Sequence, residues 1–320
     1  MKRKILGIFV LLIAALVIMF YAGPRVEVDT TLRPINLPLD LDSYLSQSEA
    51  QFTDIVPGAE KTIIWAGQQG QKTPLSIVYL HGFSATLQET APLSDNLAAK
   101  LEANLYYTRF RGHGRSGAAL AEVSVNDWLN DSHEALEIGK RLGDQVIVIG
   151  VSTGGTLASW LATQPDTDDV LAFVLISPNF ALHDASTELL TWPWGEQIAT
   201  AFIGPELSWE PFNEIHSQYW TLSYPTKALL PMMGLVKLVR DVDISEVERP
   251  LLIIYSPNDQ MISPERVEET FTRFGAANKQ LIPIDDPEDP GNHVLAGDIL
   301  SPGDTAQVVQ MILDFVSSLK

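Results

Sequence analysis

The stretch that most constrains the fold is Gln145–Gln164, QVIVIGVSTGGTLASWLATQ. Four apolar residues, 146–149, lead into the glycine-rich GVSTGG at 150–155, and a mainly apolar pattern continues to Pro165. This order predicts a buried strand, a sharp turn and a helix. The G-x-S-x-G spacing removes side chains that would collide with neighbouring backbone at a strained strand-to-helix turn. We therefore expect Ser152 to stand on such a turn, at the end of a strand.

A serine at this place is a candidate nucleophile. The N–H groups at the start of the helix point toward Ser152, together with the positive end of the helix dipole, so a developing oxyanion would meet oriented donors. Thr153 supplies one such N–H. The alternative is a glycine-rich turn that carries an ordinary serine.

A second glycine-containing loop, His81-Gly82-Phe83-Ser84, follows the predicted strand at 75–80 and precedes a stretch, 87–101, with helical spacing. A loop of this kind turns backbone N–H groups toward a cavity, so the Phe83 N–H is our candidate for the second oxyanion donor. His81 lies at the strand end and is expected to be structural, bonded to loop backbone.

A serine hydroxyl becomes a strong nucleophile when an imidazole removes its proton and a carboxylate fixes the imidazole tautomer. For a serine on a strand-to-helix turn, the acid and then the histidine follow along the chain. Asp259 and His293 satisfy this order, each in a loop after a predicted strand. Parallel strands bring such loops together at one edge of a sheet.

Other groups compete for the role of the acid. Three carboxylates precede His293 in its own loop: Asp285, Asp286 and Asp289. The position after the preceding strand holds Asn179, which cannot carry a charge. The residues alone leave these carboxylates open as alternatives to Asp259.

Composition excludes several functions. The formal net charge of -19 argues against nucleic-acid binding, which requires clustered Lys and Arg. The chain has no cysteine, and its six histidines show no H-x-x-x-H or H-E-x-x-H pairing. We therefore expect no metal site and no cofactor.

The N-terminus resembles a membrane segment. Lys2, Arg3 and Lys4 precede eighteen uncharged residues, Ile5–Ala22. As a helix these would span about 27 Å, close to the thickness of a bilayer core. Phe20, Tyr21 and Ala22 form a poor site for signal cleavage, and Tyr21 suits the membrane interface. We therefore favour a single-pass anchor with a cytoplasmic N-terminus and an extracytoplasmic catalytic domain. The alternative is secretion after cleavage of a signal peptide.

The remaining chain divides into a linker and docking segment at 23–58, which contains an amphipathic run, and one α/β domain at 59–320. Strands and helices alternate in that domain, which predicts a mostly parallel central sheet with helices on both faces. Between two predicted strands lies an aromatic-rich insertion at about 180–245, the cap segment. Its four tryptophans are Trp192, Trp194, Trp209 and Trp220.

These motifs together resemble the α/β-hydrolase fold, and more narrowly the branch of monoacylglycerol lipases, lysophospholipases and serine aminopeptidase-like enzymes. The matching motifs are His81-Gly82-Phe83, Arg111-Gly112-His113-Gly114-Arg115-Ser116, Gly150–Gly155, Ser256-Pro257-Asn258-Asp259 and Asn292-His293. The resemblance covers roughly residue 63 to the C-terminus. It implies a serine hydrolase with Ser152, Asp259 and His293 as triad.

Three functions remain open at this stage. The leading hypothesis is hydrolysis of carboxylic esters, small or lipid-derived, through an acyl-enzyme. A peptidase or thioesterase would use the same triad, since the fold does not set the substrate. A non-catalytic binding protein on a hydrolase fold is the hypothesis from another class. The oligomeric state does not follow from the sequence.

Overall fold

A computed structural model describes residues 2–319. Its α-helices are α1 Lys2–Tyr21, α2 Leu41–Glu49, α3 Leu93–Leu101, α4 Gly117–Leu120, α5 Val125–Leu142, α6 Thr153–Ala162, α7 Gly195–Ile203, α8 Glu214–Tyr219, α9 Leu229–Asp241, α10 Pro264–Arg273 and α11 Thr305–Ser317. Its strands are β1 Thr62–Ile64, β2 Thr73–Leu80, β3 Asn104–Tyr107, β4 Gly143–Val151, β5 Val170–Ile176, β6 Glu206–Ser208, β7 Ser223–Pro225, β8 Leu251–Tyr255 and β9 Lys279–Pro283.

The central sheet has seven strands in the order β1-β3-β2-β4-β5-β8-β9. Strand β1 pairs antiparallel with β3, and all other neighbours are parallel. The predicted α/β-hydrolase fold with a mostly parallel sheet is confirmed. Strand β4, which leads to Ser152, lies in the middle between β2 and β5.

Alternating side chains of the buried strands face opposite layers of helices. In β4, Val146 and Val148 join the core under α5, α6 and α9, whereas Ile147 and Ile149 join the core under α3 and α11. Because both faces are covered, all four of these side chains are fully buried. This explains the unbroken apolar run in the sequence.

The expected helix at 87–101 is divided in two. A 3₁₀ turn spans Leu87–Glu89, and α3 begins only after Pro92. Proline lacks an N–H and disfavours helical backbone in the residue before it, so it starts a new helix more readily than it continues one. The break leaves Glu89 in a short turn directly behind the His81–Ser84 loop.

The linker and docking segment lies along the domain. Leu41 and Leu45 of α2 are buried in the core. Glu49 at the end of this helix accepts two hydrogen bonds from the buried guanidinium of Arg109, at 2.7 and 2.8 Å. Removing one partner of such a buried pair leaves an uncompensated charge, so this contact fixes the segment in place.

Helix α1 has the length and composition to cross a membrane. Its window Lys4–Tyr21 has a mean hydropathy of 2.6, and none of the window is buried. Its C-terminal end touches the cap segment: the Trp194 ring N–H donates to the Met19 carbonyl at 3.2 Å, and the Phe20 ring lies edge-on to Trp192 at 6.3 Å.

Candidate active site

Ser152 occupies the strained turn between β4 and α6. Its backbone has φ 51° and ψ -115°, outside the regions that non-glycine residues prefer. The neighbouring glycines make this turn fit, because a Cβ on Gly154 would lie 2.0 Å from the Leu80 carbonyl oxygen and one on Gly150 would lie 2.4 Å from that of Gly154. Ser152 is mostly buried and keeps 8% of its surface exposed.

Asp259 and His293 come together as the sequence order predicts. The His293 Nδ1–H donates to Asp259 Oδ2 at 2.7 Å. The other carboxylate oxygen, Oδ1, accepts from the N–H groups of Met261 and Ile262 at 2.8 and 2.9 Å. The carboxylate is fully shielded from solvent while 14% of the His293 side chain is exposed. The pair therefore presents only its imidazole to a reactant.

The Asp259 carboxylate raises the pKa of His293. Burial alone would lower the pKa of His293, but the attraction of the Asp259 carboxylate and the hydrogen bond to it raise that pKa above its usual 6.5. A raised pKa makes the imidazole a stronger proton acceptor, which is what activation of a serine hydroxyl needs.

The three other candidate acids, Asp285, Asp286 and Asp289, do not contact the His293 ring. Asp289 accepts hydrogen bonds from the N–H groups of His293 and Val294 through Oδ2, at 2.8 and 2.9 Å, so it organises the loop and not the ring. Asp285 and Asp286 are exposed. Of the four carboxylates, Asp259 is the one that contacts the imidazole.

The Ser152 hydroxyl makes no hydrogen bond to any residue in 2–319, and this includes the His293 ring. Catalytic hydrogen bonds commonly tighten only when substrate binds. The loop of His293 is held independently by Ser177, whose hydroxyl donates to the His293 carbonyl at 2.7 Å. Ser177 directly follows β5, next to the strand that carries Ser152.

The two residues predicted to supply oxyanion donors lie on segments next to the one that carries Ser152. Thr153 is the first residue of α6, and Phe83 lies in the loop after β2, the strand beside β4. Neither backbone N–H donates to an acceptor within the described part of the chain. An oxyanion hole consists of such backbone N–H groups, which are free to donate to the oxyanion of a substrate.

Both ring nitrogens of His81 contact backbone groups, as we expect for a structural residue. Its Nε2 accepts from the Phe110 N–H at 3.0 Å, so its Nδ1 carries the proton and donates to the Gly82 carbonyl at 2.9 Å. Burial lowers the pKa of His81 to about 4, which keeps the ring neutral. The ring thus ties the strand end to the loop that contains Phe83.

The cap segment closes over this loop. The Tyr224 ring packs edge-on against Phe83 at 5.4 Å, and the Thr221 N–H donates to the Ser84 carbonyl at 2.8 Å. Two of the four cap tryptophans pack against another cap residue: the rings of Trp209 and Trp220 lie 5.0 and 4.4 Å from the His216 ring.

Sequence analysis missed Glu89. Its carboxylate accepts from the Gly82 N–H at 2.7 Å, one residue before Phe83. A signal was present, because Glu89 is the only Asp, Glu, Lys or Arg between Lys72 and Asp95. A single charge in such a stretch, just after a candidate oxyanion loop, indicates a specific environment.

Known proteins share sequence similarity with this chain. Residues 71–228 match the family described as "Serine aminopeptidase, S33". A thermostable monoacylglycerol lipase from Bacillus sp. (strain H-257) is 23% identical over 211 residues, which are 65% of this chain and 80% of that protein.

Solved structures share the fold. One, from work on the metagenome-derived lipolytic enzymes LipS and LipT, has a TM-score of 0.67 at 20% identity and covers 82% of this chain and 99% of its own. A soluble variant of monoglyceride lipase from Saccharomyces cerevisiae has a TM-score of 0.63 at 15% identity, with 94% and 99% covered. The chain therefore has the α/β-hydrolase fold and resembles its monoacylglycerol lipase and serine aminopeptidase branch.

Proposed function

We propose that this α/β-hydrolase-fold protein is a serine hydrolase that cleaves carboxylic esters through an acyl-enzyme, with Ser152, Asp259 and His293 as its triad. The observation that carries the proposal is the 2.7 Å hydrogen bond between His293 and the buried Asp259, at the sheet edge where Ser152 occupies a strained turn. Similarity to a monoacylglycerol lipase and to lipolytic enzymes supports ester substrates.

Acylation follows from the roles of these groups. His293 Nε2 takes the Ser152 proton as Oγ attacks the ester carbonyl carbon, and the carbonyl oxygen becomes an oxyanion. The N–H groups of Phe83 and Thr153 stabilise that charge. The carbon–oxygen bond to the alcohol then breaks, and the imidazolium gives its proton to the leaving alcohol.

Deacylation repeats these steps with water. His293 removes a proton from a water molecule that attacks the acyl carbonyl, and the carboxylic acid leaves as Ser152 regains its proton. Asp259 forms no bond to the substrate in either step. It holds the Nδ1–H tautomer, which leaves Nε2 to accept protons, and it stabilises the imidazolium in both transition states.

We also propose that α1 anchors the chain in a membrane, with the catalytic domain on the extracytoplasmic side, and that the substrates include lipid-derived esters. The contacts of Trp194 with Met19 and of Trp192 with Phe20 support a short distance between the helix end and the cap. A cap held at the membrane surface would place Ser152 near lipid esters. Secretion after signal cleavage is the alternative.

Labelling with a fluorophosphonate tests the catalytic proposal. We expect Ser152 to be labelled in the full-length protein, and expect Ser152→Ala and His293→Ala to lose both labelling and ester hydrolysis. Ser159→Ala is the matched control, because Ser159 is a buried serine of α6 that donates to the Gly155 carbonyl. No labelling of the folded wild type, beside a labelled control esterase, would favour a binding protein. Hydrolysis of thioesters alone would indicate a thioesterase, and hydrolysis of aminoacyl amides alone would indicate a peptidase.

A further inference from the structure

Glu89 is a buried carboxyl group to which the proposed reaction assigns no role. It keeps 3% of its surface exposed. Its Oε1 accepts two hydrogen bonds, from the Gly82 N–H at 2.7 Å and from the Tyr79 hydroxyl at 2.9 Å. The Tyr79 oxygen accepts in turn from the Thr90 hydroxyl at 2.7 Å. The carboxyl group is thus held firmly under the loop that carries Phe83.

The second oxygen of Glu89 and the Ser152 Cβ lie on the same side of Gly82. A Cβ built on Gly82 would lie 2.8 Å from Glu89 Oε2 and 3.3 Å from the Ser152 Cβ. Both groups therefore border the same small space at Gly82, where any larger residue would displace one of them. Glu89 also touches the loop after His293, because a Cβ on Gly297 would lie 2.7 Å from the Glu89 carbonyl oxygen.

The surroundings of Glu89 favour its uncharged form. Burial raises the pKa of Glu89 to about 8, although hydrogen bonds from Gly82 and Tyr79 and the attraction of His293 act in the opposite direction. Tyr107 is a further titratable group near this site, because its ring lies 5.4 Å from that of Tyr79. Burial also raises the pKa of both tyrosines, so they stay neutral.

We propose that Glu89 is a positioning residue of the oxyanion hole: by holding the Gly82 N–H it fixes the loop that presents the Phe83 N–H to the substrate. This inference rests on the proposed function. Glu89 acts as a neutral acid at pH 7. Once ionised, it places a negative charge close to where the oxyanion forms, which opposes the transition state.

Three variants distinguish the positioning of the loop by Glu89 from the effect of its charge when it is ionised. Glu89→Gln keeps an acceptor for Gly82 but cannot ionise. Glu89→Ala leaves the Gly82 N–H without a partner and frees the loop. Tyr79→Phe removes one hydrogen bond that stabilises the ionised form, so it should raise the pKa of Glu89 further. Asp131→Asn is the matched control: Asp131 is another buried carboxyl group with a raised pKa, and it accepts the Arg111 N–H at 2.6 Å.

The measurement is kcat and KM of the full-length protein against pH on a p-nitrophenyl ester, corrected for spontaneous hydrolysis. We expect wild-type kcat/KM to fall as the pH rises through about 8, Glu89→Gln to lose this fall, and Tyr79→Phe to shift it to higher pH. Glu89→Ala should lower kcat by about tenfold or more with little change in KM, as expected when oxyanion stabilisation is impaired. Asp131→Asn should keep the wild-type profile.

An unchanged alkaline fall in Glu89→Gln, or an unchanged profile in Tyr79→Phe, would overturn the proposal. An unchanged kcat in Glu89→Ala would do the same. Labelling of Ser152 by fluorophosphonate distinguishes failure of this inference from failure of the proposed function. If the wild type is labelled and hydrolyses esters while the Glu89 variants behave like wild type, only the role of Glu89 is wrong. If the wild type is neither labelled nor active, the proposed function itself fails and the inference fails with it.

Discussion

The Asp259 carboxylate accepts the His293 ring N–H at 2.7 Å, whereas Asp289, four residues before His293, binds the backbone N–H of the same histidine. One carboxylate thus acts on the imidazole and the other on the loop that carries it. Because the two carboxylates make different contacts, we expect substitution of Asp259 and substitution of Asp289 to have different effects.

Asp259→Asn is expected to lower kcat by about 10⁴, because an amide no longer fixes the His293 tautomer or stabilises the imidazolium. Asp289→Asn should act mainly on stability, since the loop loses a charged acceptor for two N–H groups. Ester hydrolysis measured beside thermal unfolding distinguishes the two. Full activity in Asp259→Asn with a well-folded but inactive Asp286→Asn would show that the acid is assigned wrongly.

The pH dependence of hydrolysis should reveal the base. His293 accepts the serine proton only when neutral, and its pKa is raised above 6.5, so kcat/KM should increase with pH and reach half of its maximum above pH 6.5. Removing the Asp259 charge lowers the pKa of His293. We therefore expect Asp259→Asn to shift the acidic limb to lower pH even as its maximum falls. A limb that does not move would mean that another group titrates there.

Gly154→Ala should destabilise the protein by about 3 kcal/mol or prevent its folding, because the new Cβ would lie 2.0 Å from the Leu80 carbonyl oxygen. The nearest atoms all belong to the backbone of Leu80 and His81, which leaves little room for relaxation. Gly67→Ala is the control: nothing lies within 4 Å of a Cβ there, and we expect a change within about 0.5 kcal/mol. Chemical denaturation followed by circular dichroism measures both. Equal stability of the two variants would contradict the packing argument.

Much of the site could be predicted because its chemistry depends on local patterns. The strand, turn and helix around Ser152 appear as one apolar run with glycines at fixed spacing, and parallel strands bring their end loops to one edge. Proximity of Asp259 and His293 therefore followed from sequence order and fold. These are consequences of backbone sterics and sheet topology, which a single sequence reveals.

What the sequence did not reveal depends on contacts between distant segments. The bond of Glu89 to Gly82 arises because Pro92 interrupts the expected helix and leaves Glu89 in a turn, which periodicity alone does not predict. The contact of Trp194 with Met19 joins residues 175 positions apart. Such pairings depend on how the cap packs, and no local signal specifies them.

The anchor proposal predicts that the full-length chain sediments with membranes and resists alkaline carbonate, because the apolar surface of α1 is unburied within the protein. A chain that begins at Arg25 should be soluble. It lacks α1 and its contacts with the cap but retains the buried side chains of α2. Mass spectrometry of the N-terminus is the decisive measurement, since a mature protein that starts at Gly23 or later would show a cleaved signal.

The last prediction concerns acyl-chain length. The cap segment packs its own apolar side chains, among them Tyr224, Leu229 and Met233, into one core with the domain, and Tyr224 contacts the Phe83 loop beside Ser152. An acyl chain that reaches Ser152 beneath such a cap should bury its methylenes, each worth up to about 0.8 kcal/mol. We therefore expect higher kcat/KM for medium-chain than for acetyl p-nitrophenyl esters, with Ser152→Ala as the background control. A steady decrease of kcat/KM from acetyl upward would contradict a lipid-like substrate and indicate an esterase for small esters. Activity on aminoacyl amides alone would indicate a peptidase.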